Sequence, residues 1–362
     1  MCAKARVVVA MSGGVDSSLT AALLLRQGYD VIGITMQLWD NEESENLELG
    51  SRPSAAVDDA RRVADRLGIP HYFLDFRDLF RQKVVNYFLA EYEAGRTPNP
   101  CIACNRYVKF GELWQKAQAL GAQFLATGHY ARVIYDSGRG RYLLRQGIDF
   151  VKDQSYFLYH LKQEILAHLI MPLGDYTKKQ TRQLAREMGL TVADKPDSQE
   201  ICFIPNKDYK GFIAKHSPAS LRPENIVDTQ GHVVGRHKGL PLYTVGQRKG
   251  LGIAAGKPLY VVALNPMRNE VVVGSNVEVL GDELVAGNLT FISSDTLTSD
   301  MPVKAKIRYN AAPADAVITP LNNGQVRVKF ATPQRAITPG QAVVFYEGDV
   351  VVGGGTILWP GH

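Results

Sequence analysis

A β-branched run, Val7-Val8-Val9, ends in Ser12-Gly13-Gly14 and is followed by apolar residues at helical spacing from Val15 to Leu24. This pattern predicts a buried strand, a tight turn and a helix opening at Asp16. Residues 29–36 predict a second strand, with Gly28 ending the helix before it. Ala56, Val57, Ala60, Val63, Ala64 and Leu67 repeat at helical spacing until Gly68, and residues 71–75 predict a third strand. Leu79, Val84, Tyr87, Phe88 and Tyr92 predict another helix, residues 110–120 a further one, and residues 124–127 a fourth strand. Alternating strands and helices imply right-handed crossovers, hence an α/β domain with a doubly wound parallel sheet. Ligands of such sheets bind at the C-terminal ends of the strands, where Ser12, Met36 and Gly128-His129 fall. Residues 40–53 are polar and irregular and read as a mobile loop. Residues 141–145 and 154–159 are further apolar segments, and a helix over 178–188, stopped by Gly189, closes the domain.

Past about Ser217 the helical period fades and short alternating strands take over, at 260–264, 270–273, 303–309, 326–330 and 342–346. They predict a small, mostly β central domain and a C-terminal β-barrel. The expected division is 1–207, 208–280 and 281–362. A length of 362 residues agrees with two or three domains. Net charge is a mild +5 with no basic tail, so any nucleic-acid site must be built by folding. Four cysteines make no secreted disulfide framework. No signal peptide and no membrane-spanning run is read, so the expectation is a cytoplasmic protein with reduced thiols and no membrane contact.

The Ser12-Gly-Gly turn has the makings of an anion site. Glycines let the backbone come close to a phosphate, and the helix N-terminus supplies N–H groups and a favourable dipole. It is neither a Walker A loop nor a Gly-x-Gly-x-x-Gly dinucleotide turn. Cys101-Ile-Ala-Cys104 follows Thr97-Pro-Asn-Pro and reads as a proline-stiffened loop before a helix, where a thiol pKa would be lowered. No second Cys-x-x-Cys completes a zinc finger. Cys202, followed by Phe203, would by itself be buried and inert.

Ser12-Gly-Gly-Val-Asp-Ser-Ser resembles the pyrophosphate-binding loop of ATP pyrophosphatases. Gly95-Arg-Thr-Pro-Asn-Pro, Cys104-Asn105, Ala126-Thr-Gly-His-Tyr130, Lys152-Asp-Gln-Ser-Tyr-Phe157, Asp197-Ser-x-x-Ile-Cys-Phe203, Gly246-Gln-Arg-Lys-Gly-Leu-Gly-Ile253 and Thr338-Pro-Gly-Gln341 follow in order. Together they resemble the bacterial tRNA-specific 2-thiouridylases over essentially the whole chain. The resemblance implies an ATP-dependent sulfurtransferase that adenylates the 2-oxygen of the wobble uridine and then replaces it with sulfur.

By the same resemblance, Ala10, Met11, Ser12, Gly13, Gly14, Val15, Asp16, Ser17, Met36 and Gly128 would bind ATP, with Asp16 on Mg2+. Asn99, Pro100 and Cys101 would line a pocket for the flipped-out base. Cys202 would carry a persulfide, and Cys104 would be the nucleophile that releases its sulfur by forming a disulfide with Cys202. His129, Lys152, Asp153, Gln154, Arg308, Tyr309 and Gln341 would contact tRNA. Lys304, Lys306 and Arg308 alternate along one strand face suited to phosphates. A cysteine desulfurase or sulfur-relay protein would be the donor. Some family members carry Asp where this chain has Cys101, so three thiols could instead hold an iron–sulfur cluster. The persulfide route is favoured of the two. The competing readings are an amide-forming ligase with the same loop and a nucleotide-binding module without chemistry.

Overall fold

Val7, Val8 and Val9 are fully buried in β1 (Arg6–Ala10), the middle strand of a five-stranded sheet, in a computed structural model of the chain. The structure describes residues 4–39, 55–197, 201–253 and 256–361, so the loop expected at 40–53 lies outside the described residues. The sheet order is β3-β2-β1-β4-β7, with β2 at Asp30–Gln37, β3 at His71–Asp75, β4 at Phe124–Ala126 and β7 at Leu169–Ile170. Every neighbouring pair in it is parallel. Helix α1 (Val15–Arg26) and α2 (Ala55–Leu67) follow β1 and β2. Leu19, Leu23 and Leu24 of α1, Ala60 and Val63 of α2, and Ala185 of the helix Lys178–Glu187 bury themselves in one core with Val7 and Val9. This is the doubly wound α/β architecture that the alternation of periods predicts.

The chain divides into two compact units, one of residues 1–83, 101–199 and 349–351, the other of 84–100, 200–348 and 352–362. The first holds the parallel sheet and an antiparallel hairpin of β5 (Ala131–Asp136) and β6 (Arg141–Gln146). The second contains a four-stranded sheet ordered β10-β11-β8-β9, from Tyr260–Asn265, Glu270–Gly274, Glu224–Asp228 and Val233–His237. Its other sheet closes on itself. β12 (Leu280–Phe291), β15 (Val326–Arg335), β14 (Ala314–Pro320), β13 (Met301–Lys306), β16 (Ala342–Glu347) and β17 (Val350–Gly361) pair in that order, and β12 pairs back to β17. Closure leaves no unpaired edge, and Val303, Ile318, Val328, Phe345 and Ile357 fill the interior.

Two expectations change. The cysteine segment is helical, because Pro100 opens a helix at Pro100–Ala103 that widens into a π-helical stretch at Cys104–Glu112. Proline is suited to a first helical position, since its fixed φ is already helical and its missing N–H is not needed there. The strand expected over 303–309 ends at Lys306, which is only 8% exposed and lies 5.4 Å over the Tyr309 ring. Arg308 is past the strand, and its guanidinium donates to the carbonyls of Arg335 and Ala336 at 2.5 and 2.7 Å. The basic stripe therefore does not exist as one face, and Lys304 pairs with Asp315.

Candidate active site

The turn between β1 and α1 is shaped for an anion. Gly14 precedes α1, and no side chain caps the helix there, which leaves the first turn's N–H donors without a side-chain cap. Ser12 N–H donates to Ser17 Oγ at 3.1 Å, and that hydroxyl lies 3.2 Å from the Gly14 carbonyl, so the loop is pinned from within. Thr35 Oγ1 donates to the Met11 carbonyl at 2.8 Å, tying the loop to β2, where Met36 is the last residue but one. Gly13 has φ +70°, and a Cβ there would stand 2.0 Å from the Ala56 carbonyl oxygen. Glycine is required by conformation and by space alike. Lys195 Nζ donates to the Gly13 carbonyl at 3.0 Å and pairs with Asp59 at 2.6 Å.

Asp16 carries the loop's charge. Lys178 Nζ lies 2.8 Å from both of its carboxylate oxygens, and the Tyr130 hydroxyl lies 2.8 Å from one of them. Lys178 also reaches Asp197, at 2.8 Å. None of Lys178, Lys195 or Tyr130 was a sequence candidate. The signal for Lys178 is indirect: Thr177 and Gln180 form a reciprocal capping box that fixes where its helix begins.

Gly128 and His129 join this loop to the cysteines. A Cβ on Gly128 would come within 2.9 Å of Asp16 C and Cβ and Ser17 N, so the strand end can press on α1 only as glycine. The next residue, His129, packs its ring 5.9 Å from Phe110 of the cysteine-bearing helix. Its Nδ1 lies 2.7 Å from Thr127 Oγ1. Burial, then the nearby Lys109 and His160, hold its pKa well below the usual histidine range. His129 is thus neutral and 8% exposed, a packed joint rather than the open face expected toward tRNA.

Cys104 is buried, and burial pushes its thiol up to about 11 against the opposing pull of Lys109. Cys101 is exposed as a residue, yet burial of its thiol raises it too. The lowered pKa expected of a loop pair is overturned, because both residues sit in a packed helical turn and not on an open loop. Asn105 donates through Nδ2 to the Phe157 carbonyl at 3.3 Å. Its Oδ1 and both ring nitrogens of the buried His160 have no partner among the described residues. Burial, helped by Arg106, drives His160 down to about 3.

Lys152 pairs with Asp197 at 2.8 Å, and Gln154 Oε1 accepts from Tyr130 N–H at 3.0 Å. Asp153, expected to touch tRNA, is 2% exposed. Its carboxylate accepts from Gly147 N, Ser155 N, Ser155 Oγ and Gln146 Nε2, so it shapes the segment from beneath. In the second unit, Gln341 Nε2 donates to the Thr97 and Pro98 carbonyls at 3.0 and 3.1 Å, holding the stretch before Asn99 and Pro100. Cys202 is exposed, against the bland expectation for a cysteine before phenylalanine. Phe203 takes the burial instead, 5.4 Å from Phe88 and 5.2 Å from Phe212.

No group of three or more His, Cys, Asp or Glu is placed to hold a metal ion among the described residues. Asp16, 31% exposed at the loop, fits the lesser demand of Mg2+, which takes one or two carboxylates together with substrate phosphates. No helix among the described residues is long and apolar enough to cross a membrane.

Family models match in three consecutive blocks. Residues 5–206 match a tRNA methyl transferase HUP domain, 210–275 a tRNA methyl transferase PRC-barrel domain, and 281–357 an aminomethyltransferase β-barrel domain. The tRNA-specific 2-thiouridylase MnmA of Acetivibrio thermocellus is 56% identical over 98% of this chain and 99% of its own. That of Carboxydothermus hydrogenoformans is 55% identical over 97% of each chain. That of Clostridioides difficile is 50% identical over 97% of this chain and 98% of its own. With likeness of this degree running from end to end, the chain belongs to the tRNA-specific 2-thiouridylase family.

Proposed function

We propose that this protein is a cytoplasmic, ATP-dependent tRNA-uridine 2-sulfurtransferase, with domains at 1–207, 208–280 and 281–362. The observation that carries the reading is the Gly128-His129 joint, where one residue abuts the Asp16 end of α1 and the next packs on the helix bearing Cys104. A phosphate cradle and a thiol are thereby built into one rigid element pair.

In this reading Ala10–Ser17, Met36 and Gly128 hold ATP, and Asp16 holds Mg2+, which screens the phosphate charge when bound. The uridine flips out against Asn99, Pro100 and Cys101. Its 2-oxygen attacks the α-phosphorus and pyrophosphate leaves, turning a poor leaving group into AMP. The terminal sulfur of a Cys202 persulfide, loaded by a cysteine desulfurase or relay protein, then attacks C2 and AMP departs. Cys104 attacks the Cys202 sulfur, the S–S bond breaks, and 2-thiouridine is released beside a Cys104–Cys202 disulfide. A thiol reductant restores both cysteines. Lys152, Gln154, Arg308, Tyr309 and Gln341 serve tRNA, with Asp153 and His129 supporting from within.

The test supplies ATP, Mg2+, unmodified tRNA and a persulfide-generating desulfurase to iron-depleted protein, and reads nucleosides by mass spectrometry. 2-Thiouridine is expected with the wild type and absent with Cys104→Ser and Cys202→Ser, which still bind ATP. Product that appears only after iron–sulfur reconstitution overturns the persulfide route. Full activity without the cysteines overturns the reading itself.

A further inference from the structure

Asp197 opens the motif that contains Cys202, five residues on. Its carboxylate is held by three cations of the first unit, Lys152 and two residues one turn apart on the helix Lys178–Glu187. Lys152 Nζ lies 2.8 Å from Oδ2, and Lys178 Nζ and Arg182 Nη2 lie 2.8 and 2.9 Å from Oδ1. Side-chain exposure is 33% for Lys152, 13% for Lys178 and 22% for Asp197, so the pairs are partly shielded from solvent screening. Burial works to raise the Asp197 carboxyl, but the hydrogen bonds and charges of Lys152 and Lys178 outweigh it and hold it at about 2.

The two lysines face different substrates in the reading above, on which this inference rests. Lys178 also grips Asp16 at the phosphate loop, and Lys152 stands in the segment assigned to tRNA. A phosphate competes with a carboxylate for an ammonium by the same charge-assisted bond. When one lysine is drawn to a phosphate, the repulsion between the two ammonium groups on Asp197 falls, and the other lysine pairs with it more tightly. Drawing off the second lysine then costs more.

We propose that Asp197 is a positioning residue through which ATP and tRNA bind antagonistically, each weakening the other by claiming one of two lysines that share a single carboxylate. Binding linkage makes the effect reciprocal, so the same factor must appear from either side.

The experiment measures the Kd of α,β-methylene-ATP with Mg2+, with and without saturating tRNA, and the Kd of tRNA with and without the analogue. Wild-type protein is expected to show a weakening of about fivefold, equal in both directions. Asp197→Asn is expected to bring the factor to near one while each substrate alone still binds. Lys152→Met is expected to abolish the coupling and to weaken binding of the ATP analogue alone by about the factor that saturating tRNA imposes on the wild type. A coupling factor that survives Asp197→Asn, or wild-type substrates that bind independently or cooperatively, overturns the proposal. Pyrophosphate release by the wild type that depends on tRNA, measured alongside with ATP, shows separately whether the underlying reaction holds. Circular dichroism of each variant separates lost coupling from lost folding.

Discussion

The Tyr130 hydroxyl lies 2.8 Å from the Asp16 carboxylate and 3.0 Å from Thr181 Oγ1, so the residue just before β5 holds the acid in the first turn of α1. Burial, and then the Asp16 charge, push the phenol above its usual range, so it stays protonated and can donate. A hydrogen bond to a charged group contributes roughly 1.5–3 kcal/mol. Tyr130→Phe removes it without changing the ring, and Lys178 then holds Asp16 alone. The expected result is a tRNA-dependent pyrophosphate release reduced on the order of tenfold at subsaturating ATP, from a rise in the KM for ATP. An unchanged KM would show that Tyr130 does not set the position of Asp16.

The state of Cys104 gives a second prediction. With its thiol pushed up to about 11, it is protonated at neutral pH, whereas Cys202 is exposed. Iodoacetamide is therefore expected to label Cys202 first and Cys104 slowly. Labelling of Cys104 should climb about tenfold per pH unit up to that range, because only the thiolate reacts. Lys109 pulls the thiol downward, so Lys109→Met should slow Cys104 further at any fixed pH. Peptide mass spectrometry with heavy and light reagent reads both rates. Equal rates at neutral pH would refute the picture.

What the sequence made legible follows from which forces are periodic. Val7–Val9 and the residues of α1 and α2 state their burial one by one, so the parallel sheet and its ligand end are readable without coordinates. β17 is not, because Gly353-Gly354-Gly355 interrupts its alternation and its pairing with β12 is long-range. The cysteine pair was misplaced for a different reason. Cys101 and Cys104 are one helical turn apart and Pro100 fits a first helical position, but two prolines in a row of four residues also suit a loop. The polar partners were least visible of all. Lys178, Lys195 and Tyr130 reach the loop across more than a hundred residues, and ion pairing leaves no period to read.

Gln341 yields a third prediction. Its side-chain amide donates to two successive carbonyls, those of Thr97 and Pro98, and Thr97 N–H donates to the Pro339 carbonyl at 2.8 Å. The turn at 339–341 therefore clasps the segment that leads into Asn99. Gln341→Ala removes both side-chain bonds and leaves one backbone bond. At about 1 kcal/mol per bond, the second unit should lose about 1–2 kcal/mol of stability in urea unfolding. Because the clasp precedes the residues assigned to the target base, the KM for tRNA should rise several-fold while the KM for ATP holds. Parallel changes in both constants would place the effect in general unfolding instead.

His160 sets the response to acid. It is buried, neither of its ring nitrogens has a partner among the described residues, and burial holds its pKa at about 3. In the unfolded chain the same ring titrates near 6.5. The folded pKa is the lower, so below pH 6.5 the unfolded state binds the proton first and stability falls. The loss runs from about pH 6.5 down to about 3, and above 6.5 the ring is neutral in both states and contributes no slope. At roughly 1.4 kcal/mol per pH unit, lowering pH from 7 to 5 should cost about 2 kcal/mol through this residue. His129 adds a loss of the same sign, so the wild-type slope alone does not isolate His160. His160→Leu does. It removes the titrating ring and its unpaired nitrogens, and the variant's stability relative to wild type should improve by about 2 kcal/mol between pH 7 and pH 5. Urea midpoints at several pH values give that difference directly. Curves that stay parallel across the range would mean that His160 gains a proton or a partner in the folded protein.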